Sequence, residues 1–289
     1  MNKAANVTTY EEWASAGIGN AFLFGKVMTS NRDLLLELLQ YSLPEFHILK
    51  IEDIRKEFEI RMSVDAHGVR LDIMAWDDQG RIIDVEMQLR NEKNIPKRMR
   101  YYGSAVDQTI LERGRNYSEL SEQVILFITP FDPFGDGLYR YTFRNICIEN
   151  KDLELGDGTT KVLLNAAGRT GEIANELKGF LELVAGNQDA EEGTFAWRVQ
   201  RQVVSARKNA KWRKEYMDWE MTLRNEWTKG HDAGLEEGRA KGRAEGTLEV
   251  LVSLAKEGLL TTREAAERAG ITETEFQKKL EAFREEDKG

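Results

Sequence analysis

The chain has 289 residues, 41% hydrophobic and 31% charged, with a formal net charge of −9. That length suggests one large domain with a smaller appendage; no run of about 18 apolar residues offers a membrane span, and the opening MNKAANVTTYEEW lacks the apolar core of a signal peptide, so a cytoplasmic protein with no membrane partner is expected. Cys147 is the only cysteine and His47, His67 and His231 lie far apart, which excludes an internal disulfide, gives no zinc-ligand spacing and leaves oxygen atoms as the donors for any metal.

In chain order, Ser30–Leu43 reads as a helix, capped by Ser30 or Asn31 and striped by Leu34, Leu35, Leu38 and Leu39. Three strand-like runs follow, Glu57–Val64, Val69–Trp76 and Ile82–Leu89, punctuated by turns at Asp65–Gly68 and Asp77–Gly80. A second helix starts near Pro96 and runs to about Arg113, with Gly114 ending it. Gln123–Thr129 (QVILFIT) is apolar enough for a buried central strand. Strands at Tyr139–Ile148 and Lys161–Asn165 and a helix at Glu172–Ala185 complete an α/β layer pattern with a mixed sheet.

Beyond this the composition changes. Residues 197–229 carry nine Lys/Arg against four Asp/Glu, a basic arm beside a strongly acidic remainder. Trp212, Tyr216, Trp219, Leu223 and Trp227 share one helix face, which serves either packing or base stacking. Gly230, Gly234, Gly238, Gly242 and Gly246 then recur every fourth residue. Each glycine costs a helix about 1 kcal/mol relative to alanine, so the ladder marks either close approach of helices in self-association or a partly helical linker. Leu248–Phe283 reads as a helix-turn-helix outline, with Thr261–Glu264 as a capping box and Gly270 in the turn. The many acids of its second helix favour a protein contact over DNA.

The hairpin between these elements is the candidate for the chemistry. A three-residue loop Asp78-Gln79-Gly80 closes Asp77 against Arg81 and sets Asp72 across from Glu86, with Met74 opposite Asp84 and Arg70 opposite Gln88. A two-residue loop would send Asp72 and Glu86 to opposite faces. Opposed carboxylates repel unless neutralised, so the pair either holds a divalent ion through its oxygens or belongs to a solvated acidic face countered by Arg70 or Arg81.

Asp72 followed after thirteen residues by Glu86-Met87-Gln88 resembles the D…(D/E)-x-K signature of the PD-(D/E)XK nuclease superfamily. The order of NAFLFGKVM (Asn20–Met28), this hairpin, PKRMRYYGSAVDQTILERGRNYSEL (Pro96–Leu120), VILFITPFDPF and the glycine ladder is similar to the Rpn family of recombination-promoting nucleases and transposase-related proteins. The resemblance implies a restriction-endonuclease-like αβββαβ core and Mg²⁺-dependent cleavage of DNA, with Mn²⁺ as a substitute. By the same carry-over Asp72 and Glu86 are metal ligands, joined by the backbone carbonyl of Met87, and Gln88 takes the catalytic position usually held by lysine. Leu71 stands where the superfamily has proline. An amide at position 88 orients water but brings no positive charge. Arg98, Tyr101, Tyr102 and Gln108 on the following helix are candidate DNA contacts, the tyrosines serving equally well to pack helix on sheet.

The resulting organisation is a nuclease-like domain over residues 1–190, a basic aromatic-striped helix over 191–229, the glycine segment over 230–247 and a small helical module over 248–289. The expected activity is an endonuclease of low sequence specificity, linked to recombination, mobile elements or defence and assembled as a homo-oligomer, a dimer, through the C-terminal helices. The alternative is a weak or inactive nuclease-like module that binds DNA or protein through those segments, favoured by the neutral Gln88 and the acidic total charge.

Overall fold

The computed structural model describes residues 10–60, 69–111, 114–187 and 189–286. It divides into two compact units, Met1–Met217 and Asp218–Gly289. The first unit is an α/β structure around a six-stranded mixed sheet. Its strands are β1 (Ile51–Ile60), β2 (Val69–Asp77), β3 (Ile82–Met87), β4 (Gln123–Thr129), β5 (Arg140–Phe143) and β6 (Thr159–Asn165), in the order β1-β2-β3-β4-β6-β5. The first three strands form an antiparallel meander, β3–β4 and β4–β6 are parallel, and β5 returns antiparallel on the edge beside β6.

Helices α1 (Ala21–Ser30) and α2 (Arg32–Ser42) precede the sheet. The single helix expected from Ser30 therefore starts two residues later. Ser30 closes α1, and Asn31 stands between the two helices with its side-chain amide donating to the carbonyl of Val27 at 2.8 Å. β1 begins at Ile51, six residues before the expected Glu57; its charged stretch IEDIRK pairs through the backbone with β2. Residues 61–64 of that expected strand and the turn at 65–68 lie outside the described residues.

The parallel β3–β4 pair needs a crossover connection, and α3 (Ile95–Ile110) supplies it. Ile95 and Met99 of α3 pack against Ile125, Phe127 and Leu163, while Ala105 and Val106 pack against Met74 and Ile82. Every residue of β3 and of β4 is buried. Burying each large apolar side chain of β4 is worth ~1.5–3 kcal/mol before entropy is counted, which fits its place at the centre of the sheet. The expected strand over Tyr139–Ile148 is only four residues long. Past Phe143 the chain leaves the sheet edge and pairs with itself, Cys147 N–H donating to Leu153 O and Leu155 N–H to Asn145 O, each at 2.9 Å.

Helices α4 (Asn175–Val184) and α5 (Phe195–Lys208) follow, and α6 (Ala210–Lys256) runs unbroken through all five glycines of the ladder. The aromatic stripe divides in use. Tyr216 is buried against Trp13 and Phe22, with ring centroids 5.1 and 5.6 Å away, whereas Trp227 is 66% exposed. In the second unit, α7 (Thr262–Ala269) and α8 (Glu273–Glu286) enclose a core of Leu251, Val252, Ala265, Ala266, Phe276 and Leu280. Thr261 and Glu264 form a reciprocal capping box, and Gly270 takes a left-handed φ of 69° that ends α7. Among the described residues no helix is long and apolar enough to cross a membrane.

Candidate functional site

The hairpin turn sets the site. Gly80 adopts φ 75°, and Asp77 N–H bonds to Arg81 O at 3.1 Å. The Asp77 carboxylate accepts the backbone N–H groups of Gln79 and Arg81, both at 2.9 Å, and Arg81 Nε at 2.6 Å. Arg81 in turn donates to the carbonyl of Phe46 at 2.6 Å. Asp78 is more than a turn residue, since its Oδ1 accepts Leu49 N–H at 3.0 Å and ties the loop to the entry of β1. With the turn fixed in this way, Trp76 pairs with Ile82, Met74 with Asp84 and Ile73 with Val85.

One step further along the same register lie Asp72 and Glu86, where side chains replace the backbone ladder. Asp72 N–H donates to Glu86 Oε1 at 2.8 Å, and Met87 N–H donates to Asp72 Oδ2 at 3.1 Å. Each carboxylate thus reaches across to the other strand's backbone, and the two acids are anchored against one another.

Helix α3 covers the part of this face that carries Asp84 and Glu86, while Asp72 is half-buried. Glu86 is 3% exposed and Asp84 0%. Burial raises both carboxyls well above the ordinary carboxylate range, and the nearby charge of Asp72 raises them further. The Arg98 guanidinium opposes both shifts. No donor reaches either Asp84 oxygen in the geometry of the structure; only a proton shared with the neighbouring Glu86 carboxyl would provide one.

Arg98 enters from the first turns of α3. Its guanidinium donates to Gln88 Oε1 and to Tyr102 Oη, the latter at 2.6 Å, and its Nη2 lies 3.9 Å from Glu86 Oε2. Burial and the Glu86 charge push the Tyr102 hydroxyl up to about 12, so it stays neutral and accepts this bond. Gln88 Nε2 donates to the carbonyl of Arg90 at 2.8 Å, so its amide is held at both ends.

Of the residues singled out in the sequence, Asp72, Glu86, Gln88, Arg98 and Tyr102 are brought together. Met87 contributes its N–H to this cluster and buries its side chain. Tyr101 packs on the cluster of Met74, Ile82, Ala105 and Val106, and Gln108 is exposed further along α3. Of the two counter-charges expected for an acidic face, Arg81 is committed to Asp77, and the side chain of Arg70 lies outside the described residues. Asp84 is the site residue that the sequence motif leaves out. Its signal was position: two residues before Glu86 in a strand, it had to share that residue's face.

The donor set is oxygen-only, and its orphaned Asp84 carboxylate lies against an anionic pair, a chemistry that suits a hard divalent cation. Among the described residues no group of three or more His, Cys, Asp or Glu is placed to hold a metal ion. An ion at this site would therefore have two carboxylates as its side-chain ligands, with a carbonyl and water completing its shell, as a magnesium ion accepts.

Residues 21–154 match the model of a family described as PD-(D/E)XK nuclease family transposase. The matched span runs from α1 past β5 and contains the whole of the cluster just described. No curated protein and no solved structure matches the chain.

Proposed function

Because residues 21–154 match the model of a PD-(D/E)XK nuclease family transposase, we propose that the protein is a Mg²⁺-dependent endonuclease that hydrolyses DNA phosphodiesters with little sequence preference. The observation that carries this reading is the cross-strand anchoring of Asp72 and Glu86, each accepting a backbone N–H from the other's strand. That anchoring holds two carboxylates in fixed positions, the preorganisation that a catalytic site needs. Asp72 and Glu86 would hold the metal, with the Met87 carbonyl beside them. When bound, the ion would lower the pKa of a water and stabilise charge on the phosphate. The protein's own part is to bury the site under α3, exclude bulk water from Asp84 and Glu86, and keep Arg98 at its mouth. We assign the biological setting to recombination, mobile elements or defence, and the glycine ladder and C-terminal helices to self-association.

Plasmid cleavage in Mg²⁺ or Mn²⁺ tests this, with Asp72→Ala and Glu86→Ala as controls. The parent should nick and linearise plasmid, and each variant should lose at least about 100-fold in rate. Mn²⁺ should also raise the parent's unfolding temperature by mass action and leave both variants unmoved. Variants as active as the parent would overturn the site assignment.

A further inference from the structure

We propose that Arg98 is the group that holds the scissile phosphate, and that Gln88 is the bracket that aims it. This deepens the nuclease reading and rests on it.

Arg98 is held chiefly by neutral partners. Its Nη1 donates to Gln88 Oε1 and its Nη2 to Tyr102 Oη at 2.6 Å. The guanidinium stands over the rings of Tyr102 and Phe127, 5.2 and 5.7 Å from their centroids. The nearest carboxylate oxygen, Glu86 Oε2, is 3.9 Å away, beyond hydrogen-bond length. A guanidinium has five N–H donors in a rigid planar fork; these hydrogen bonds engage two of them, and its ion pair with Glu86 is a long one that uses no further N–H. Its side chain is 24% exposed against 4% for Glu86, so of the two it is the one that solvent reaches. An oxyanion that accepts two parallel N–H bonds is the ligand this fork fits, and a phosphodiester is one.

Gln88 fits the same arrangement. Its Nε2 is spent on the Arg90 carbonyl at 2.8 Å and its Oε1 on Arg98. An amide tied at both ends fixes the neighbour that it contacts. A lysine at position 88 would set an ammonium against the guanidinium and remove the acceptor that Arg98 uses. The neutral residue beside Glu86 therefore belongs with a cation that comes from the helix.

A double-mutant cycle with two readouts tests the assignment: single-turnover cleavage of plasmid at saturating DNA in Mg²⁺, and DNA affinity in Ca²⁺. Arg98→Gln should lower the single-turnover rate about 100-fold or more while changing affinity by less than about threefold. Gln88→Ala should cost about 10-fold, as a loss of positioning, and should add almost nothing in the Arg98→Gln background. Arg98→Lys, which keeps the charge without the fork, should recover only part of the rate, and it remains informative if the glutamine variant does not fold. Additive effects of the two substitutions, or an Arg98→Gln variant that loses affinity at an unchanged single-turnover rate, would overturn the proposal. A parent that cleaves no DNA with any divalent ion would overturn the nuclease reading itself, and this proposal with it.

Discussion

Asp84 lies directly across from Met74 in the β2–β3 pair, a carboxylate fully sealed beside an apolar neighbour with no donor on either oxygen. A buried carboxylate that keeps its charge without a partner costs several kcal/mol. Burial of such a residue makes the protein less stable than its fold allows.

Asp84→Asn should therefore stabilise the metal-free protein by ~1–2 kcal/mol at mildly alkaline pH, since removing the charge outweighs the unsatisfied amide. Urea unfolding in the presence of a chelator measures this. A variant that is less stable than the parent would show that Asp84 is already compensated.

The same acids set the pH dependence of metal-free stability. Folding raises Asp84 above its ordinary 3.8 and Glu86 above its ordinary 4.5, burial being the main cause. The folded state thus retains protons that the unfolded chain has released. Their contribution is fully present below those ordinary values and is lost as pH rises through the raised folded values. In chelator, the urea midpoint should fall from mildly acid to mildly alkaline pH. Asp84→Asn combined with Glu86→Gln should flatten the curve, and an unchanged slope would refute burial of these two carboxyls as its cause.

The Asp77–Arg81 pair is the hinge of the hairpin, 2.6 Å apart with side chains 0% and 9% exposed. Asp77→Ala leaves Arg81 buried without its anion and frees two turn N–H groups, at a cost of ~3–5 kcal/mol. Because this turn fixes the register, the variant should also lose Mn²⁺-induced stabilisation while Asp72 and Glu86 remain in the chain. Thermal unfolding with and without Mn²⁺ reads both effects, and a full Mn²⁺ response would separate register from turn stability.

The exposed glycines of α6 allow a test that does not involve the site. A Cβ built on Gly234, Gly238 or Gly242 meets nothing within 4 Å. Gly238→Ala with Gly242→Ala should then raise helix stability by ~1–2 kcal/mol in all, seen as a higher melting midpoint by circular dichroism. If a second copy packs on this stripe, the added methyl groups should instead lower both the midpoint and the mass measured by sedimentation.

Much of the frame was readable along the chain. QVILFIT is apolar on both faces and became the central β4, with the boundaries expected for it. Asp77 through Arg81 offered a left-handed position at Gly80, and the observed register follows from it. Thr261 and Glu264 announced a helix start that the capping box realises. Other elements were less legible. NAFLFGKVM buries Phe22, Leu23, Phe24, Val27 and Met28, and a helix buried nearly all round has little periodicity to read. The charged IEDIRK did not look like a strand because an outer strand is recruited through its backbone rather than its side chains.

By itself the sequence determined local order: which acids share a strand face, and that a three-residue loop would set Asp72 across from Glu86 where a two-residue loop would part them. Only the tertiary structure decided what that face meets. Alternation fixes the side on which Asp84 and Glu86 lie, but the crossover helix α3 has to cover that side before they become buried. The meeting of Gln88 with Arg98, from two elements ten residues apart, depends on how that helix docks. Covalent spacing sets the first kind of relation and long-range packing the second, which is why the carboxylate pair was foreseeable and its cation was not.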